Sequence, residues 1–312
     1  MKPLIIIAGP TASGKTATSI SVAKQLNGEI ICTDSMQVYK NMDIGTAKVM
    51  PSEMEGIPHY MIDKLSPTES SNVAWFKQEV TNYINYIHSR DKVPILVGGT
   101  GFYINAIIYD TEFGETEETP KFRQELFAKS SETLYSMLKD VDFESAKNIH
   151  PNNRQRVIRA IEFYYQNNNT PISVHNKEEK QKQNTSPYDY LFFALNMDRA
   201  VLYERINKRV DIMMQNGLLD EVTNLYNKGL TEDMVSMRAI GYKEFFPYLR
   251  GEASLDETIE LLKRNTRRYA KRQLTWFTHQ ANPTFIEVDK LNFDCEKASK
   301  IILFNFLNKF RL

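Results

Sequence analysis

The chain has 312 residues, with 39 Lys and Arg against 39 Asp and Glu, so its formal net charge at neutral pH is zero. Its length and its 42% apolar content, with 17 Phe and 16 Tyr, allow one large or two ordinary domains and exclude a disordered, collagen-like or coiled-coil protein. The charge balance argues at first against nucleic-acid binding, and two cysteines, Cys32 and Cys295, give no disulfide framework.

Residues 4–8 form a continuous apolar run that predicts a buried strand; it is too short for a signal core and lacks a small-residue cleavage site. Residues 17–26 carry Ile20, Ala23 and Leu26 at helical spacing, residues 29–33 read as a second strand, and Val73, Phe76, Val80, Ile84 and Ile87 repeat at helical intervals. A third apolar run, residues 93–97, closes on Gly98-Gly99. Apolar runs separated by helices predict an α/β protein with a parallel sheet covered on both faces.

From about Asp110 the character changes. Glu112, Glu115, Glu117 and Glu118 predict an acidic loop, helical patterns follow to about Gln166, and residues 167–186 read as solvated loop or frayed helix. Strand character returns at residues 190–195. The expected organisation is an α/β core of residues 1–113 and 189–312, with an inserted, mostly helical domain over 114–188. No stretch approaches the roughly 18 to 20 apolar residues of a membrane helix, and a cytoplasmic monomer is expected.

Gly9-Pro10-Thr11-Ala12-Ser13-Gly14-Lys15-Thr16 satisfies G-x-x-x-x-G-K-[ST], with a predicted strand running in and a helix running out. The glycines let successive N–H groups point inward, the helix start adds its positive dipole end, Lys15 supplies a point charge, and the Thr16 hydroxyl suits Mg²⁺. This is a cradle for a diphosphate or triphosphate. Whether it holds ATP stays open, because the strand at 93–97 ends in Gly98-Gly99-Thr100 and not in a Walker-B Asp.

Asp34-Ser35-Met36-Gln37-Val38-Tyr39 follows the second strand, at the sheet edge where α/β proteins place ligands. Asp34 suits a general base, a metal-shell ligand or an acceptor for an N–H donor; Gln37 carries an amide suited to a base edge. Helix capping is the competing role for Asp34.

The motifs at Gly9–Thr16 and Asp34–Tyr39, together with Met42-Asp-Ile-Gly-Thr-Ala-Lys48, Gly98-Gly-Thr-Gly-Phe-Tyr103 and Arg238-Ala-Ile-Gly-Tyr242, resemble in content and order those of the tRNA dimethylallyltransferases, or tRNA isopentenyltransferases. The resemblance covers essentially the whole chain. It implies a P-loop NTPase-like core and transfer of a dimethylallyl group from dimethylallyl diphosphate to N6 of adenosine 37 of tRNA. It further implies that the P-loop and Arg209 hold the diphosphate with Mg²⁺ on Thr16, that Asp34 takes the amine proton, and that Thr100 is a hydroxyl near the reacting centre. Thr100 has an ordinary N-cap as its alternative, and the helix carrying Arg205 and Arg209, suggested by Leu202, Ile206, Met213 and Leu218, has a solvated basic face.

The resemblance also implies tRNA contacts at Asp34, Ser35, Met36, Gln37, Thr100 and Arg123, and at Gln155, Arg156, Val157, Ile158 and Arg159, although many relatives carry Arg at the Gln155 position. Independently, Lys263, Arg264, Arg267, Arg268, Lys271 and Arg272 fall within ten residues with no acid among them, opposite a stripe of Leu262, Thr266, Tyr269, Gln273 and Trp276. Arg267, Arg268 and Arg272 on that helix suit an RNA backbone; a solvated face is the alternative. The zero net charge thus becomes a cancellation: residues 110–145 hold ten acids and four bases, whereas 261–280 hold six bases and no acid.

Eukaryotic relatives carry a C-terminal zinc finger. This chain lacks its Cys and His pattern and resembles the bacterial form; His59, His88, His150, His175 and His279 show no ligand spacing. Two rival readings remain at this stage, a P-loop kinase using ATP and an RNA-binding protein whose P-loop only senses nucleotide.

Overall fold

The computed structural model describes residues 2–114, 120–182 and 185–310. The chain divides into two compact units, residues 1–108 with 187–312 and residues 109–186. The first begins with β1 (Pro3–Ala8), α1 (Lys15–Leu26), β2 (Gly28–Cys32), β3 (His59–Tyr60), α2 (Val73–His88), β4 (Val93–Gly98) and α3 (Gly101–Ile108).

The second unit is helical among the described residues: α4 (Pro120–Phe127), α5 (Ser131–Val141), α6 (Phe143–Asn148), α7 (Arg154–Gln166) and α8 (Ile172–Lys182). Its core joins Leu126, Leu134 and Leu138 to Val157, Ile158 and Ile161. Asp142 ties three of its segments together, accepting the backbone N–H and hydroxyl groups of both Ser145 and Ser173 at 2.7–2.9 Å. The polar stretch expected as loop or frayed helix contains α8, because Glu179 turns inward and accepts the Glu112 N–H at 2.8 Å and the Lys182 ammonium at 2.7 Å. Of the expected acidic loop, Glu115, Glu117 and Glu118 lie outside the described residues.

The chain then returns to the first unit with β5 (Asp189–Asn196), α9 (Arg199–Gln215), α10 (Leu218–Asn227), α11 (Phe246–Leu249), α12 (Leu255–Trp276), β6 (Thr284–Glu287) and α13 (Cys295–Phe310). Six parallel strands form one sheet in the order β3-β2-β4-β1-β5-β6. Ile5 sits level with Ile95 on one side and Leu191 on the other, so the apolar runs stack into a continuous core. Strands β3 and β6 were not expected; two and four residues are too few for a periodicity to register. The helix expected to run from Leu202 to Leu218 is two helices, with Gly217 at φ +95° starting the second.

This order settles the geography of the site. The loops after β1, β2 and β4 carry the P-loop, Asp34 and Gly98-Gly99-Thr100, and all three leave the same C-terminal edge, with β4 between the other two strands.

Candidate active site

The P-loop curls because Gly9 and Gly14 take φ of +149° and +91°, and a Cβ on Gly9 would lie 2.8 Å from the Leu195 carbonyl oxygen of the neighbouring strand. The Lys15 ammonium bridges the loop, donating to the Gly9 oxygen at 3.0 Å and the Pro10 oxygen at 2.7 Å. One of its three N–H groups is left for a ligand oxygen. Burial, and next the Arg209 guanidinium, lower its pKa to about 8, against the pull of Asp34. Ser13 Oγ is buried without a hydrogen-bond partner among the described residues, the condition of a donor awaiting an anionic oxygen.

Helix α9 closes this cradle. Arg205 donates to the Ala12 oxygen at 3.0 Å and Arg209 to Thr11 Oγ1 at 3.2 Å, so these arginines are not a solvated face. Burial disfavours the charged form of Arg209, which is the situation of a cation built for an anion.

Asp34 lines the same cavity of about 800 Å³ as Lys15, Thr16 and Arg209. No helix begins at this turn, so capping does not account for the residue; its Oδ1 accepts the Met36 N–H at 2.9 Å. Burial raises its pKa, opposed by that N–H and by the Lys15 charge. A raised pKa makes a carboxylate the stronger base. Burial first, and the Asp34 charge among further causes, push Cys32, Tyr103 and Tyr269 each up to about 12. At neutral pH these neighbours stay protonated.

Thr100 stands just before α3, yet its buried hydroxyl takes no N–H of that helix and instead lies beside the Tyr269 phenol. Its backbone oxygen, not its side chain, takes the Tyr103 and Ile104 N–H groups. The N-cap alternative is therefore not what the geometry supports.

A divalent ion has little protein to hold it here. Among the described residues no group of three or more His, Cys, Asp and Glu side chains could do so. Thr16, exposed at the cavity wall, fits Mg²⁺ all the same, because that ion keeps waters and phosphate oxygens as most of its ligands.

Two residues expected as RNA contacts have other work. Both amide ends of Gln37 are engaged: Nε2 donates to the Thr46 and Ala47 oxygens at 3.3 and 3.2 Å, and Oε1 accepts from the Cys32 thiol at 3.3 Å. Arg267 donates to Asn207 Oδ1 at 2.5 Å. The basic face is also smaller than the expected six charges, since Lys263 pairs with Asp211 at 2.8 Å and Glu260 at 3.3 Å. Arg264, Arg268, Lys271 and Arg272 remain exposed.

In the helical unit, Val157 and Ile158 are 0% and 1% exposed, so their side chains build its core. Gln155 and Arg156 are exposed beside them. Arg123 forms a 3.7 Å ion pair with buried Glu162, and Arg159 lies 5.7 Å from the Phe163 ring centroid. Ser35 and Met36 line the same cavity as Asp34.

Sequence reasoning placed Gln273 only on a buried stripe. The structure gives it a joining role: it accepts the Thr11 N–H at 3.4 Å and donates to the Gly99 oxygen at 2.9 Å, linking the P-loop to the turn bearing Thr100. The signal that could have found it was an amide on the buried stripe, which must find hydrogen-bond partners there.

The profile of the IPP transferase family matches residues 37–280. A tRNA dimethylallyltransferase from Lachnoclostridium phytofermentans is 48% identical over 306 residues, 97% of each chain, and one from Acetivibrio thermocellus is 49% identical over 304 residues, 96% of each. The crystal structure of the Staphylococcus epidermidis tRNA delta(2)-isopentenylpyrophosphate transferase is 46% identical with a TM-score of 0.74, over 99% of this chain and all of that one. A eukaryotic dimethylallyltransferase crystallised while acting on tRNA is 34% identical with a TM-score of 0.74, over 89% of this chain and 70% of its own.

Proposed function

Since the chain belongs to the IPP transferase family and modifies tRNA by prenyl transfer, we propose that it moves a dimethylallyl group from dimethylallyl diphosphate to N6 of adenosine 37. The observation that carries this reading is a single cavity lined by both a phosphate cradle and a desolvated carboxylate, Asp34.

The diphosphate sits against the P-loop N–H groups, with Lys15 and Arg209 balancing the charge that grows on it as the carbon–oxygen bond breaks. Bound Mg²⁺, held by Thr16, supplies further charge neutralisation on the diphosphate. The N6 lone pair forms the new bond to the allylic carbon, diphosphate leaves, and the N6 proton passes to Asp34. An exocyclic adenine amine is a weak nucleophile because its lone pair is delocalised into the ring, so a base held beside it matters. Thr100, whose buried hydroxyl lies beside the Tyr269 phenol and caps no helix, donates to or accepts from the base as it is held.

On the first unit the RNA backbone is gripped by Arg268 and Arg272 of α12, and Asp34, Ser35 and Met36 hold the base; the helical unit offers Arg123, Arg156 and Arg159 to RNA. The enzyme works as a cytoplasmic monomer with Mg²⁺. With labelled dimethylallyl diphosphate and Mg²⁺, label enters an anticodon stem-loop bearing adenosine 37 and not the same loop with guanosine there. Phosphorylation by ATP with no label in RNA overturns the reading.

A further inference from the structure

The segment between Met42 and Lys48 contributes Gly45, Thr46 and Ala47 to the wall of the reaction cavity. One carboxylate from a distant helix organises it. Glu221, on α10, accepts the backbone N–H of Asp43 and Ile44 on Oε2, both at 2.8 Å, and the Gly45 N–H at 3.0 Å and the Tyr242 hydroxyl at 2.7 Å on Oε1. Four donors meet the roughly four lone-pair sites of one ionised carboxylate, two on each oxygen. Only an acceptor-only group matches that set; an amide would set its own N–H groups against two of the donors.

The fit around this contact is close. Tyr242 is fully buried, and a Cβ on Gly45 would lie 2.6 Å from its ring. Burial, and then the Glu221 charge, keep the Tyr242 phenol protonated and so a donor. At its far end the same segment is held by the Gln37 amide, which bonds the Thr46 and Ala47 oxygens three residues from Asp34. The path from Tyr242 through Glu221 and the segment to Gln37 is unbroken, and it ends at the Asp34 turn.

We propose that Glu221 is a positioning residue for prenyl transfer: its carboxylate clamps residues 43–45 to Tyr242 and thereby fixes the cavity wall and the turn that presents Asp34. The proposal rests on the prenyl-transfer reading for its kinetic consequence and on geometry alone for the clamp.

Glu221→Gln is compared with wild type, with Tyr242→Phe, which removes one donor and keeps the ring, and with Asp220→Asn, an exposed neighbour. Rates are counted per diphosphate site titrated with dimethylallyl diphosphate, so that loss of folded protein drops out. Glu221→Gln lowers kcat per site about 10- to 100-fold, as a misplaced reacting group does, with little change in KM for dimethylallyl diphosphate. Tyr242→Phe gives a smaller loss in the same direction, and Asp220→Asn none. Because Gln37→Ala releases the other anchor of the same segment, its loss and that of Glu221→Gln do not multiply in the double variant.

Amide hydrogen exchange at residues 43–45 reads the clamp without any turnover, and it accelerates in Glu221→Gln. Unchanged exchange there, or a wild-type kcat per site, overturns the proposal, as does full multiplication with Gln37→Ala. If wild-type protein transfers no prenyl group, the functional reading falls while the exchange measurement still decides the clamp.

Discussion

The phosphate side of the cavity is built from eight consecutive residues, Gly9 to Thr16, closed by two arginines of one helix, whereas the acceptor side sets Asp34 among bonds that Gln37, Glu221, Tyr242 and Gln273 supply from separate segments of the chain. The first binds through the backbone N–H groups of one contiguous loop, with Lys15 from the same motif bridging it. The second exists only when several long-range bonds are made together. A phosphate cradle is thus modular, and the geometry for base chemistry is cooperative.

Removing the chemical groups themselves should break each side most. Asp34→Ala lowers kcat by about 10²- to 10⁴-fold, the span of a lost general base, and leaves stem-loop affinity within a few-fold in filter binding. Lys15→Ala lowers kcat/KM by about 10²- to 10³-fold through lost stabilisation of the leaving diphosphate. An active Asp34→Ala enzyme in the label-transfer assay would remove the proposed base.

The pH profile tests the same pair together. Asp34 must be ionised and its pKa lies above the ordinary 3.8, while Lys15 must be protonated and titrates at about 8. The kcat/KM for dimethylallyl diphosphate therefore rises through the Asp34 titration and falls above about pH 8; an alkaline limb unaltered in Lys15→Arg would detach it from Lys15.

Stability should move opposite to activity at Asp34. Because burial raises its folded-state pKa, the folded protein binds that proton more tightly than the unfolded chain. The group's favourable contribution is present below 3.8 and lost as pH rises through the folded value, leaving an unfavourable ionised carboxylate at neutral pH. Metal-free Asp34→Asn is expected to melt a few degrees higher than wild type at pH 7 and to show no such gain near pH 3, by calorimetry.

The smallest effects sharpen the RNA-facing side. Neutralising Arg268 and Arg272 reduces the slope of log affinity against log salt by about 2, at roughly 0.9 per phosphate contact. Adding Arg267→Ala changes it little further, because Asn207 already holds that guanidinium. A third equal step in the slope would show that Arg267 leaves Asn207 to meet phosphate.

The parallel sheet was legible because four of its strands carry largely apolar runs, and a run such as Leu4 to Ala8 has no other stable place than a covered interior. Its edge strands were not, since His59–Tyr60 and Thr284–Glu287 are strands by virtue of their neighbours. Among site residues, those in a contiguous motif could be read directly, Lys15 and Asp34 above all. Apart from the resemblance, which gave Arg209 to the diphosphate, Arg205 and Arg209 were charges on a helix with a solvated face as the alternative; α9 packs that face on the P-loop. Val157 and Ile158 show the reverse case: within a contiguous motif that the resemblance associates with tRNA, two side chains are core.

The sequence by itself determined the phosphate chemistry, because successive backbone N–H groups and a lysine eight residues or fewer apart need no distant partner to converge. It also determined that zero net charge conceals a basic helix. Which of that helix's charges face outward was decided by the tertiary structure, through Asp211 and Asn207. The tertiary structure alone likewise decided that Gln37 tethers a loop, that Gln273 bridges two turns, and that Glu221 collects four donors. The Gln273 bonds and those of Glu221 to residues 43–45 join positions more than a hundred apart, and all of these contacts follow from chain packing, which no local pattern encodes.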